Sequence, residues 1–255
     1  VKSFRYRQNR PKKNTLICGR EAVIQALQEG PVLDRIYVQQ NSTGPLLDDI
    51  RRLAQERLVP IFKVPVEKLN SFNVFNHEGC IAQKSTILYQ DLQQIISLTM
   101  ENGETPLMLV LDGITDIRNI GAMARSAYSF GAHAIIIPEK GVGALNEDAM
   151  LTSAGALEKL AICRVSSLHQ AIDTLRLNGI RVYAADMQAA TTVQKADLTI
   201  PVAFVLGGEE KGVQESVRKC CDASICIPMP GDFESLNVSV ATGILLYETS
   251  RQRIG

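Results

Sequence analysis

The sequence is poor in features that would assign it to a specialised class. Its 27 basic and 27 acidic side chains cancel over 255 residues. The chain as a whole therefore advertises no polyanion partner, and any nucleic-acid contact must come from local asymmetry. Its six cysteines form no Cys-x-x-Cys pair, and the three histidines, His77, His133 and His169, are scattered. No metal site is expected from that pattern, and cysteines inside apolar runs read as reduced thiols of a cytoplasmic protein. No apolar run is long enough to cross a bilayer and no secretory signal is evident, so no membrane partner is expected. A Walker A loop is absent. Gly141-Val-Gly143 approaches the dinucleotide fingerprint but has Asn146 where its third glycine belongs. Internal repeats and low-complexity segments are also missing.

What is present is an ordinary globular composition, 45% hydrophobic and 21% charged. Charge is asymmetric only at the start, where Lys2, Arg5, Arg7, Arg10, Lys12, Lys13 and Arg20 precede the first acid, Glu21. Residues 1–14 read as a basic tail, either solubilising or phosphate-contacting. From 15 to 86, short strands alternate with helices, the clearest being Pro45 to Arg57 with Leu46, Leu47, Ile50, Leu53 and Ala54 on one face. That predicts a small α/β domain. Residues 87–105 read as a helix and a polar join, Glu101-Asn-Gly-Glu-Thr-Pro106, between domains. A second domain, 106–255, restarts with Leu107-Met-Leu-Val-Leu111, an apolar strand typical of a buried parallel sheet. Its regular alternation predicts helices on both faces and ligands at the carboxyl ends of the strands.

Three of those strand ends carry polar residues that packing does not require. In Asp112-Gly-Ile-Thr-Asp-Ile-Arg-Asn119, Asn119 stands where it can cap a helix from Ile120 to Phe130. Arg118 and Arg125, seven apart, share a side of that helix within about 20°, an arrangement suited to a phosphate. In Leu206-Gly-Gly-Glu-Glu-Lys-Gly-Val213 the glycines let backbone approach a ligand, and Glu209 or Glu210 can orient a neighbour. The third runs from Ile227 to Tyr247. Pro228 and Pro230 stop a strand, and Ser235 and Asn237, both good N-caps, open a helix with no wholly polar face. Such a helix is buried in its own domain or against a second subunit.

In this order and spacing the three stretches resemble the SpoU branch of the SPOUT methyltransferases, which methylate a ribose 2′-hydroxyl in RNA. Asp116, Asn119, Gly121-Ala122 and Arg125 match the first motif; Gly207, Glu209, Gly212 and Ile227-Pro228-Met229 match the second; Ser235 to Ala241 carries the third whole. Leu16-Ile-Cys-Gly-Arg-Glu-Ala-Val23 and His77-Glu-Gly-Cys80 look like the small L30e-like substrate-binding domain of the enzymes that modify guanosine in 23S rRNA. Two positions depart from the family. Ile117 stands where it usually has proline, and Glu78 where it often has glutamine.

The resemblance implies a C-terminal SPOUT domain with a parallel sheet and a deep trefoil knot. It implies S-adenosyl-L-methionine held by Leu206, Gly207, Ile227, Met229 and Leu236, and a homodimer built on the last helix. Arg125 would take or stabilise the hydroxyl proton, Asn119 would position Arg125 and the ribose, and Glu209 would hold Asn119. Ser235 and Asn237 would fix the knot loop and the hydroxyl. The implied substrate is rRNA, with a tRNA guanosine as the alternative. A non-catalytic RNA-binding protein on the same scaffold is opposed by Asn119, Arg125 and Asn237, and a nucleotide-dependent metabolic enzyme by the missing signatures.

Overall fold

A computed structural model describes residues 15–142, 145, 147–208, 211–231 and 235–254. The basic tail, Asn146 and Glu209 lie outside the described residues. The chain divides into two units between Thr86 and Ile87.

The first unit has a four-stranded sheet in the order β1 (Leu16–Cys18), β4 (Cys80–Lys84), β2 (Leu33–Gln39), β3 (Ile61–Val64). Strand β4 is antiparallel to both neighbours, whereas β2 and β3 run parallel. Side chains alternate across the sheet. Ile36 and Val38 therefore pack with α1 (Arg20–Glu29) and α2 (Pro45–Glu56), through Val23, Leu27, Leu47 and Ile50. Tyr37 faces the other way, towards α3 (Val66–Asn70), with Leu69, Phe72 and Ile81. Glu78, one of the two departures from the family pattern, accepts the Arg20 backbone N–H through its carboxylate at 3.3 Å, satisfying the first amide of α1. A glutamine carbonyl could accept the same bond.

The second unit holds six strands, all parallel to their neighbours, in the order β10 (Ala223–Ile225), β8 (Arg181–Ala185), β9 (Val202–Gly207), β5 (Leu107–Asp112), β6 (Ala134–Pro138), β7 (Ala161–Val165). Strand β5 is buried over its whole length, and alternation explains why both its faces are apolar. Leu107, Leu109 and Leu111 enter the core under α5 (Ile117–Ser129) and α10 (Val238–Ile254). Met108 and Val110 enter the opposite core, under α4 (Leu92–Glu101) and α8 (Leu168–Leu177). Each such side chain contributes about 1.5–3 kcal/mol by leaving water.

Residues 87–105, expected as a join, are built into this unit. Ile87 lies in one core, and Leu92 and Ile96 in the other. The apolar spacing of α4 supplies the reason, since a helix with that stripe is covered rather than left bridging. Helix α5 also begins three residues earlier than expected, at Ile117. Asp116, not Asn119, is its N-cap, accepting the Arg118 amide at 2.9 Å. The described residues of the unit also include the short helices α6 (Glu147–Thr152), α7 (Ala156–Lys159) and α9 (Glu215–Arg218) and a 3-10 turn at Val193–Lys195.

After β5 the chain builds outward through β6 and β7, then crosses to β8 and returns to insert β9 beside β5. The direction of winding therefore reverses between β5 and β9, where an open parallel sheet leaves a crevice at its carboxyl edge. Helix α10 buries Val238, Leu245 and Leu246 but leaves Val240, Tyr247 and Ile254 exposed, each seven residues from the next. Among the described residues, no helix is long and apolar enough to cross a membrane. All six cysteines are free thiols, and burial pushes those of Cys80, Cys163 and Cys221 up to about 12.

Candidate active site

The crevice between β5 and β9 opens into two cavities that share Gly208, Gly212 and Val238 in their walls. The first, of about 180 Å³, collects the carboxyl ends of β8, β9 and β10 and the start of α10. Its walls are Leu206, Gly207, Ile225, Ile227, Met229, Leu236, Ala241 and Leu245, with Ser235, Cys226 and Asp186 as polar members. All five residues expected to hold a cofactor, Leu206, Gly207, Ile227, Met229 and Leu236, thus line one space, although they come from three stretches of chain. Gly207 is there for steric reasons. A Cβ on it would lie 1.9 Å from the Gly212 carbonyl carbon, so no other residue permits that approach of backbone to backbone.

Asp186 is the one charged side chain among the described residues of this wall. The Gln188 amide and, against the opposing effect of burial, the Arg218 guanidinium at 2.6 Å hold its carboxyl below the usual carboxylate range. The motifs gave no hint of it. The signal available was an acid directly after a buried strand, a common ligand position in parallel sheets.

The second cavity, of about 510 Å³, is polar: Asp112, Thr115, Asp116, Asn119, Lys211 and Gln214 line it. Its frame is a long-range clamp. The Asp112 carboxylate, 2% exposed, accepts the Gln214 backbone N–H and the Gln214 side-chain amide, both at 2.7 Å. The Gly208 N–H donates to the Asp112 carbonyl at 3.0 Å, and the Gly212 N–H to the Gly208 carbonyl at 2.8 Å. The end of β5 is therefore bonded to Gly208 and to Gln214. Near this clamp, burial alone would raise the Asp116 carboxyl, but the Arg118 amide and guanidinium outweigh it and hold the group below the usual range.

Asn119 and Asn237 meet here. The Asn237 side-chain N–H donates to Asn119 Oδ1 at 3.1 Å, joining α5 to the start of α10 across 118 positions of sequence. Asn237 also caps α10, accepting the Ser239 amide at 2.9 Å through its own Oδ1. Ser235, expected as a cap as well, is two residues too early for that and instead lines the apolar cavity. Arg125 is exposed on α5, six residues beyond Asn119, and lines neither cavity. Its side chain has no ion-pair partner among the described residues. No cluster of His, Cys, Asp and Glu among the described residues could hold a metal ion.

Two family profiles match the chain. The SpoU rRNA methylase family covers residues 106–247, and RNA 2′-O ribose methyltransferase substrate binding covers residues 16–89. The chain is 32% identical over 242 residues to a putative TrmH family tRNA/rRNA methyltransferase, YacO of Bacillus subtilis, covering 95% of this chain and 97% of that one. It is 32% identical over 246 residues to the 23S rRNA (guanosine-2′-O-)-methyltransferase RlmB of Xanthomonas campestris pv. campestris, covering 96% and 99%. Its fold is that of the SpoU methyltransferase AviRb from Streptomyces viridochromogenes, solved in complex with AdoMet. The TM-score is 0.60 and the identity 24%, over 94% of this chain and 90% of that one.

Proposed function

The chain belongs to the SpoU rRNA methylase family of RNA methyltransferases, and on that footing we propose that it methylates the ribose 2′-hydroxyl of a guanosine in large-subunit rRNA, using S-adenosyl-L-methionine. One observation carries the choice of substrate. The likeness to a 23S rRNA guanosine enzyme runs through both units, 96% of this chain, rather than through the second alone. A tRNA guanosine is the second reading, favoured by the tRNA/rRNA naming of the B. subtilis relative.

The apolar cavity fits the cofactor. Leu206, Ile227, Leu236 and Leu245 offer aliphatic walls to an adenine face, and Asp186 offers a carboxylate to a hydroxyl or an ammonium group. When bound, S-adenosyl-L-methionine supplies a methyl group on a sulfonium, which an oxygen nucleophile must approach in line. The polar cavity behind the shared wall is where the ribose is proposed to sit, with Asn119 and Asn237 as a joined pair that orients it. A ribose hydroxyl is too weak an acid to ionise unaided at neutral pH. An arginine keeps its proton, so the part proposed for Arg125 is to hold an RNA phosphate and stabilise charge developing on the oxygen. Its exposure suits that task. Glu209 is proposed to hold Asn119, and Ser235 to fix the loop before α10. No metal is called for.

Four further points belong to the same proposal. The first unit is L30e-like, which its sheet with α1 and α2 on one face and α3 on the other supports. The second is knotted. The exit of β10 is tied to the segment before β9 by the Cys226 N–H on Thr191 O and the Val193 N–H on Cys226 O, both at 2.9 Å. The last turn of α10 reaches the same segment through Gln252 and Arg253 on Leu198. Third, the Val240, Tyr247 and Ile254 stripe is the face of a homodimer. Fourth, the protein works in the cytoplasm.

The test is tritiated methyl transfer to total rRNA and total tRNA from cells that lack the gene, followed by mapping of the modified nucleotide. Label is expected at one guanosine of the large-subunit RNA. Label confined to tRNA selects the second reading, and no label in either RNA overturns both.

A further inference from the structure

A further cavity lies apart from the proposed active site. In the first unit, about 400 Å³ opens at the carboxyl ends of the parallel pair β2 and β3, walled by Gln39, Gln40, Asn41, Ser42, Arg51 and Lys63. Its chemistry is one-sided, with two cations and no carboxylate among the described residues of the wall. Strand register places Lys63 opposite Val38, on the α2 side of the sheet with Ile61, and α2 brings Arg51 to the same space. Lys63 has no ion-pair partner among the described residues. Arg51 bonds Asp48 at 2.6 Å in an exposed pair, and such pairs contribute at most about 1 kcal/mol, so a phosphate can displace the carboxylate.

The same wall includes Gln39 at the end of β2, which alternation turns to the α3 side, round the strand end from the cations. The Gln39 N–H donates to the Gly79 carbonyl at 2.8 Å, which fixes the backbone. Gly79 has φ +71°, which favours glycine, and a Cβ there would lie 3.0 Å from Gln39 Oε1, close enough to shift the side chain by a few tenths of an ångström. That half-buried amide makes no hydrogen bond among the described residues. A glutamine amide offers a donor and an acceptor side by side, the pattern that reads a nucleobase edge. In RNA such edges are exposed in unpaired nucleotides.

We propose that this cavity takes one unpaired nucleotide of the RNA substrate, with its phosphodiester on Arg51 and Lys63 and its base reaching round the end of β2 to the Gln39 amide. The proposal rests on the RNA-modifying reading and adds a place where the first unit selects its RNA.

The test uses the full chain, a short fluorescein-labelled single-stranded RNA of mixed sequence, and anisotropy across a salt series. The double variant Arg51→Ala, Lys63→Ala is expected to bind about tenfold more weakly, with a salt slope shallower by about 0.7 for each cation lost. Gln39→Ala is expected to keep the slope and flatten the preference among homopolymers. Unchanged affinity and slope in the double variant overturn the proposal, and so does a wild-type chain that ignores the RNA. Inorganic phosphate or GMP is added as competitor. If either, at a concentration matched in phosphate to the RNA, displaces the RNA fully, the cavity takes free phosphates and the proposal fails. Calorimetry with S-adenosyl-L-methionine and near-ultraviolet dichroism check that each variant is folded. Methyl transfer to total rRNA, run in parallel, separates the two failures. Intact transfer with an unchanged double variant sinks the cavity alone, whereas a wild-type chain that labels no RNA sinks the enzymatic reading while a lost salt slope still supports the cavity.

Discussion

The two cavities at the carboxyl edge of the second unit share a wall but are built by different means. The apolar one is shaped by backbone and aliphatic side chains, with Gly207 pressed against Gly212 and a single carboxylate among the described residues of the wall. The polar one is held open by side-chain pairs drawn from far apart, Asp112 with Gln214 and Asn119 with Asn237. A space made by close backbone approach tolerates the loss of a polar partner and not the gain of an atom. One made by polar pairs has the opposite sensitivity. The two should therefore fail under different substitutions and in different measurements.

The largest effect is expected where an atom is added to the crowded wall. Gly207→Ala puts a methyl group into the Gly212 carbonyl, and overpacking against backbone costs about 1–3 kcal/mol or more. S-adenosyl-L-methionine affinity, read by calorimetry, should fall by about 100-fold or beyond. Gly113→Ala is its control. That glycine has φ +68° and open space around it, so the change strains the backbone by about 1–2 kcal/mol and should leave the affinity alone. Equal losses in both variants would erase the distinction drawn between steric and conformational glycine.

Arg125→Ala comes next and probes the proposed chemistry. Turnover should drop by about 100-fold, or roughly 2.7 kcal/mol of barrier, with cofactor affinity unchanged because Arg125 lines neither cavity. Survival of a tenth of wild-type turnover in single-turnover methyl transfer would remove Arg125 from the mechanism.

Third in size is the clamp. Asp112→Asn presents an N–H to one of the two Gln214 donors and leaves it unsatisfied in a buried place. The cost should be about 1–2 kcal/mol of stability in denaturant melts. Because Asp112 and Gln214 line the polar cavity and not the apolar one, turnover should fall further than cofactor affinity. An affinity loss as large as the turnover loss would show that the clamp supports both cavities alike.

The same contrast governs what could be read in advance. The apolar cavity was legible because its residues are contiguous motifs: Leu206-Gly207, Ile227-Pro-Met229 and Ser235-Leu236 each carry neighbours in sequence into one wall. The strands beneath it were legible from alternation, since Leu107, Leu109 and Leu111 face one core while Met108 and Val110 face the other. The polar cavity was half legible. Asn119 and Asn237 were marked out by type, but Asp112 was missed because its partner Gln214 lies 102 residues away. The start of α5 was misplaced for a local reason. Asp116 and Asn119 are both good caps, and a proline after Asp116 would have marked the first helical position. Ile117 withholds that mark. The join at 87–105 was misread because a polar, glycine-containing stretch hides how firmly the preceding α4 stripe is packed.

The smallest expected effect lies in the wall the two cavities share, α10, whose Val238 belongs to both. Three turns along, Glu248 is buried with its carboxylate on the Arg251 guanidinium at 2.7 and 2.8 Å and on the Gln252 amide at 2.9 Å. The bonds from Arg251, then that from Gln252, bring its pKa down to about 2 from an ordinary 4.5. A carboxyl depressed on folding contributes stability that is complete above its unfolded value and is lost as pH falls through its folded value. Glu248→Gln should therefore cost about 1 kcal/mol at neutral pH, and the gap to wild type should close as pH falls from 4.5 towards 2. Asp116, Asp186 and Asp197 are also depressed, but they titrate in both proteins and cancel in the difference. Urea midpoints for the pair at neutral, mildly acid and strongly acid pH decide it. A gap that stays constant through that window means Glu248 acts on α10 by shape rather than charge, and the shared wall then follows the rules of the apolar cavity alone.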